Sequence, residues 1–404
     1  MTNRRFEFHG RKIVVLALLL EFAGIAAADA PTIDPTNDSK HFGSPEEILF
    51  WTPDQQVAGY RNINKILPTR AIKTGKSVYP LPVELAGLDV LRFAFDGKQL
   101  TIDDYLADQS VAGLLVIKNG KIVFERYRLG NTEETIWMSY SVSKSVTSML
   151  IGAAIRDGYI KSVDEKVTDY LPRLKGSAYD QSSIRDLMQM SSGVRWNEDY
   201  ADRQSDLNKL NSSLTGWYTV NLYEYLRHLP RDAEPGEVFN YNTAETNLVG
   251  TLLRSAIGNN LSTYLEEKIW RPFGMESDAN WVLSEPGGGE TGGCCISATL
   301  RDYGRLGLFA MGGGQLADGV EVLTENWMEE STSPSKGYKG YGYLWWLNSD
   351  GSYRAVGIFG QGIYINAAEG VVIAMHGARR VATNQPYWNM HNAMFNAFVE
   401  ALHD

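Results

Sequence analysis

The sequence predicts an α+β protein: an antiparallel sheet flanked by helices and split by a helical insertion. Three observations predict it. A β-rich hairpin lies at 111–127, two more strand-like runs lie at 362–376, and helical periodicity dominates between them. Strands at both ends of a chain, with helices between, describe one sheet whose halves are distant in sequence.

Each element has its own signal. Runs 111–117 and 121–127 flank Lys118-Asn119-Gly120, and Asn-Gly between β-rich runs favours a tight hairpin turn. An apolar helix then begins near Ser141. Val146, Met149, Leu150, Ala153, Ala154 and Ile155 recur at helical spacing, and Asp157-Gly158 supplies a stop. Further helices are expected at 183–188, 222–229, 243–256 and 300–311. Strand-like runs follow at 341–347, 362–366 and 370–376, the last two joined by Ala367-Ala368-Glu369, and a helix from about Asn389 to Leu402 ends the chain. The expected organisation is a sheet domain from 86–165 and 290–404, a helical domain at 166–289, and an arm at 29–85. The arm is rich in Pro, Asn and Asp and should wrap the surface.

Composition narrows the class. The chain has 404 residues and 44% apolar content, enough for an ample core. Residues 1–28 read as a secretory signal peptide. Arg4, Arg5, Arg11 and Lys12 precede the apolar run 13–20, and Ala26-Ala27-Ala28 offers small residues for cleavage. A periplasmic or secreted location is expected; Glu21 inside the apolar segment leaves an uncleaved anchor as the alternative. Cleavage removes four basic and two acidic side chains, taking the formal charge from -10 to -12. So acidic a protein suits neither nucleic acid nor an anionic membrane. Cys294 and Cys295 are adjacent, where a disulfide is rarely feasible, and are expected as small buried residues. With six scattered histidines and no Cys/His cluster, neither a metal nor another cofactor is expected.

The chemistry starts at Ser141-Val142-Ser143-Lys144. On a helix, residues three apart share a face about one turn from each other. An unprotonated lysine there can take the serine proton without a histidine. A chain of this composition offers roughly one such spacing by chance, and it contains two. Ser333-Pro334-Ser335-Lys336 has a proline inside and no apolar periodicity after it, so it reads as a loop. Alone, Ser141 and Lys144 read equally well as a helix-start serine and a solvated lysine.

Downstream, Pro235-Gly236-Glu237-Val238-Phe239-Asn240-Tyr241-Asn242-Thr243, continued to Leu248-Val249-Gly250, resembles the tyrosine element of the serine β-lactamase and penicillin-binding-protein superfamily. The lead and the helix are similar to the branch holding class C β-lactamases, family VIII carboxylesterases and 6-aminohexanoate-dimer hydrolase. Tyr241 falls on the family tyrosine; Thr243 stands where asparagine is usual. The third element, a Gly-containing strand edge, is matched by Ile358-Phe359-Gly360, within 355–362. Lys73-Thr74-Gly75 spells the family triplet literally, but it precedes Ser141 and sits in the arm, so Lys73 reads as a solvated surface residue. The resemblance runs from about residue 90 to the C-terminus and implies a β-lactamase/transpeptidase-like fold. Within the branch, the loop 190–200 is similar to the active-site loop of 6-aminohexanoate-dimer hydrolase. Tyr200 matches a substrate-facing tyrosine there, against the plain alternative of a loop aromatic. The segment 292–304 also fits the branch and reads as a loop entering a packing helix.

The resemblance implies an acyl-enzyme on Ser141, with Lys144 and Tyr241 as the acid–base pair and the backbone N–H groups of Ser141 and Gln361 as the oxyanion hole. A lysine starting near 10.4 must be brought to about 7 to 8, by burial and by the positive end of the helix dipole. Tyr241 would need a lowered pKa to act as a phenolate. Ile358 and Phe359 cannot bind a carboxylate, which disfavours strong β-lactamase activity. Trp196, Tyr200, Trp217 and Tyr218 suggest an aromatic-walled cleft, with Thr243, Ile358, Phe359 and Gly360 completing the substrate site. The expected partner is a small ester or linear amide; no nucleic acid and no membrane after cleavage are expected, and a homodimer stays open. The alternatives are a silent peptide or cell-wall binding protein on the same fold, or a weak β-lactamase. A Ser-His-Asp hydrolase is disfavoured because no G-x-S-x-G elbow is present.

Overall fold

The computed structural model describes residues 34–211, 220–382 and 385–403. The signal segment, Trp217 and Tyr218 lie outside the described residues. In chain order the strands are β1 (Thr69–Ile72), β2 (Arg92–Phe95), β3 (Lys98–Thr101), β4 (Val111–Lys118), β5 (Lys121–Tyr127) and β6 (Trp137–Met138). They continue as β7 (Ala279–Val282), β8 (Ile296–Ala298), β9 (Trp346–Leu347), β10 (Tyr353–Val356), β11 (Gly362–Asn366) and β12 (Val371–Gly377). Six of them form the central antiparallel sheet in the order β5-β4-β12-β11-β10-β9. The predicted α+β class, with its sheet built from both ends of the chain, is what the molecule has.

Strand β12 explains how the layers stack. Val371, Ile373 and Met375 point to one face, where they meet Met394, Phe395 and Phe398 of the closing helix Gln385–Ala401. Val372 and Ala374 point to the other face, towards the helix Leu300–Met311. A strand buried on both faces must be apolar at every position, hence its unbroken run. Burying each such aliphatic side chain contributes about 2 kcal/mol. The helix Leu300–Met311 comes close because Gly304 and Gly307 face the sheet. A Cβ on Gly307 would lie 2.5 Å from Val372 and 2.8 Å from Ile363.

Four local expectations are corrected. Of the run 341–347, only Trp346 and Leu347 are strand. Leu344 has φ +62°, which breaks an extended path, and its N–H donates to the Met188 carbonyl rather than to a neighbouring strand. The arm does more than wrap: its β1 is the edge of a second sheet, ordered β1-β7-β8-β6. Strand β7 lies within the stretch assigned as helical. Cys294 and Cys295 are joined in a disulfide across a cis peptide, with Cα atoms 3.2 Å apart, rather than standing as two thiols.

Candidate active site

Strand β6 delivers the nucleophile. After Met138 the chain pairs with β8 through Ser139, whose N–H donates to the Ile296 carbonyl at 2.8 Å. Tyr140 then takes φ +46°, a left-handed conformation that is costly for a bulky residue. Its ring is held on every side. The hydroxyl reaches Tyr60 at 3.2 Å and the Ile48 carbonyl at 3.3 Å, both from the arm, and Phe359 packs on it edge-on at 5.1 Å. This turn places Ser141 as the N-cap of the helix Val142–Arg156. Among the described residues its backbone N–H donates to no main-chain carbonyl.

Lys144 lies one turn on, and its Nζ is 3.0 Å from Ser141 Oγ and 2.7 Å from the Gly293 carbonyl. Only 1% of the residue is exposed, so water cannot solvate an ammonium there. Burial brings its pKa down to about 7, against the opposing pull of the Glu198 charge. Tyr241 precedes the helix Thr243–Ile257 and lies with its ring centroid 5.3 Å from Lys144 Nζ. Burial raises its phenol well above 10, outweighing the lowering influence of the nearby Ser141 hydroxyl. The lowered pKa that a phenolate would need is not what burial gives Tyr241, which stays protonated near neutrality.

Glu198 is the group that sequence reasoning passed over. It was visible only as one letter in the loop 190–200. Its Oε1 accepts from the hydroxyls of Thr243 and Tyr200, the latter at 3.3 Å, and its Oε2 from the Thr243 N–H at 3.1 Å and the Trp196 indole. Burial pushes its pKa up, and the neighbouring Lys144 pulls it back. Thr243, in the usual asparagine position, thus binds a carboxylate of its own chain. Trp196 is buried behind that carboxylate and does not line the cavity.

The cavity at Ser141 has a volume of about 810 Å³, counted to its open mouth. Ser141, Tyr200, Thr243 and Ile358 line it, joined by Ile48, Leu49 and Leu67 of the arm and by the cystine. The third element is a turn, residues 357–361, between β10 and β11, rather than a strand edge. Ile358 faces the cavity, whereas Phe359, Gly360 and Gln361 do not line it. Phe359 is core, Gly360 turns the chain at φ +96°, and the Gln361 side chain donates to the Gly377 carbonyl at 2.9 Å. Gly357 and Gly360 stand three apart, so the pattern can be laid on the sequence in two registers. The loop 292–304 also does more than enter a helix, because Gly293 holds the lysine. A Cβ on Gly293 would lie 2.8 Å from the Thr243 carbonyl. Lys73, by contrast, is half-exposed and paired with Asp278 at 2.7 Å.

A buried Ser-Lys pair, a phenol and an apolar cavity beside the β10–β11 turn form a serine hydrolase site of the β-lactamase fold. The chain belongs to the Beta-lactamase family, whose profile matches residues 99–395. It is 27% identical over 369 residues to 6-aminohexanoate-dimer hydrolase of Paenarthrobacter ureafaciens, covering 86% of this chain and 88% of that protein. A Bacillus anthracis structure, assigned provisionally as a 6-aminohexanoate-dimer hydrolase, superposes with a TM-score of 0.76 at 22% identity over 86% of this chain and 94% of its own. A family VIII carboxylesterase superposes with a TM-score of 0.54 at 14% identity, over 70% of this chain and 92% of its own. At those identities the two structures speak for the fold.

Proposed function

We propose that this hydrolase cleaves small carboxylic esters and linear amides through an acyl-enzyme on Ser141. The observation that carries the reading is the buried Lys144 amine, 3.0 Å from Ser141 Oγ with a pKa brought to about 7. A neutral amine keeps N–H donors for the Gly293 carbonyl and turns its lone pair to the serine hydroxyl. Ser141 Oγ attacks the carbonyl carbon as its proton passes to Lys144. The oxyanion is received by the backbone N–H of Ser141 and by one from the 357–361 turn. Ile358, which lines the cavity, supplies that second donor better than Gln361 three residues on. Tyr241 gives its proton to the departing oxygen or nitrogen and regains one from the Lys144 ammonium, leaving the acyl-enzyme. Water then attacks the acyl carbon, its proton goes to Lys144, and Ser141 leaves with a proton restored. The Paenarthrobacter relative is named for the hydrolysis of a linear amide, the bond type at issue here.

The test is turnover of a short-chain p-nitrophenyl ester by wild type and Ser141→Ala, with mass mapping of a fluorophosphonate adduct. Wild-type turnover, lost by about 1000-fold or more in the variant, with the adduct on Ser141, is the expected result. Equal low rates from both proteins would instead mark a silent binding protein.

A further inference from the structure

The cavity beside Ser141 carries a statement about what fills it. Among the described residues, no Asp, Glu, Lys or Arg lines it. Ile48, Leu49, Leu67, Leu207, Val282 and Ile358 form its apolar wall, and its polar groups are hydroxyls, a cystine and the Asn211 amide. The nearby carboxylate, Glu198, is sealed off. Tyr200 and Thr243 face the cavity and place their hydroxyls on its Oε1, while Oε2 is taken by the Thr243 N–H and the Trp196 indole. An ammonium or carboxylate carried into this space would lose water and find no counter-charge, which disfavours its entry unless the group is neutralised.

The side of the reaction follows from Tyr241. It does not line the cavity and instead stacks on Trp346 at 5.7 Å. A leaving group protonated by Tyr241 departs on that side, so the cavity holds the other half of the substrate.

We infer that the cavity is an acyl pocket for uncharged, apolar acyl groups, with Leu49 and Leu67 of the arm as specificity-determining residues; this rests on the hydrolase reading above. It sets the chain apart from a 6-aminohexanoate hydrolase, whose acyl group ends in an ammonium at neutral pH. The arm is held over the site independently of substrate. Glu47 beside Ile48 forms a two-pronged ion pair with Arg203, three residues after Tyr200, at 2.8 and 2.7 Å.

The deciding experiment compares two p-nitrophenyl esters of equal shape, 7,7-dimethyloctanoate and 6-(trimethylammonio)hexanoate, on wild type and Ser141→Ala. They share a leaving group and differ only in a terminal charge that can neither titrate nor cyclise. A kcat/KM at least about tenfold higher for the neutral ester supports the inference. Equal values, or preference for the charged ester, with turnover that depends on Ser141, overturn it while leaving the hydrolase reading intact. No Ser141-dependent turnover of either ester ends both. Leu49→Asp and Leu67→Asp place a carboxylate on the wall and should shift the neutral-to-charged ratio towards the charged ester by about tenfold. An unchanged ratio in folded variants would remove the arm from the specificity claim.

Discussion

Lys144 and Glu198 are two buried charges whose pKa values are set by each other and by burial. Lys144 must be neutral to accept the serine proton, so with its pKa brought to about 7 the ester kcat/KM should climb through pH 7 and level off above it. Tyr241 adds no basic limb below pH 10, because burial raises its phenol. The Glu198 charge acts on Lys144, Tyr200, Tyr241, Tyr341 and Glu245. Of these, Lys144 and Glu245 change charge near neutrality, and Lys144 is the base. The Glu198 charge holds the Lys144 pKa up. Glu198→Gln should therefore move the acid limb to lower pH, and a weaker base with an unsupported ammonium should lower the plateau by about tenfold. A pH–rate profile of the two proteins checks both. An acid limb that stays put, or moves to higher pH, would remove Glu198 from the proton-transfer machinery.

At the scale of elements, the site depends on close approach. The helix Leu300–Met311 lies against β11 and β12 through Gly307, so Gly307→Ala forces a methyl into Val372 and Ile363. Overpacking of this kind costs about 1–3 kcal/mol, readable as a lower urea midpoint with an unchanged slope; an unaltered midpoint would show that the sheet yields freely. Elements with a strong period were legible in the sequence. The hairpin at Asn119-Gly120, the helix Leu300–Met311 and the strand Gly362–Asn366 stand where the pattern put them. What the pattern missed was decided by contacts between distant residues. Leu344 leaves the strand path to reach Met188, 156 positions earlier, and no local signal carries that. Ile358 and Gln361 could be told apart only once the turn was seen against the cavity. Glu198 was invisible as a site residue because its four donors come from Trp196, Tyr200 and Thr243, all three expected to face substrate. Lys144, by contrast, was legible because helix geometry brings a lysine to a serine three residues away, and Tyr241 because residues 235–250 resemble the family's tyrosine element.

Over the whole molecule, buried titrating groups pull stability in opposite directions with pH. His376 is sandwiched between Trp137, stacked at 5.9 Å, and Tyr303, edge-on at 4.8 Å, and burial brings its pKa down to about 3. Between pH 3 and the ordinary 6.5, the unfolded chain binds a proton there that the native state refuses. Stability from this group therefore falls as pH falls through that window, with a limiting slope of about 1.4 kcal/mol per unit. Glu245, buried against Ser192 and Tyr179, has its carboxyl pushed up to about 8. Between 4.5 and 8 the native state holds a proton that the unfolded chain releases, so stability from Glu245 falls as pH rises. In the shared window the two contributions offset, and the wild-type profile should be flatter than either would make it alone. Two substitutions separate them. Measured by urea unfolding at pH 5 and 6, wild type should gain about 1 kcal/mol relative to His376→Phe on going up in pH, and lose about 1 kcal/mol relative to Glu245→Gln. Parallel profiles for all three proteins would mean that neither group is held in its uncharged form by the fold.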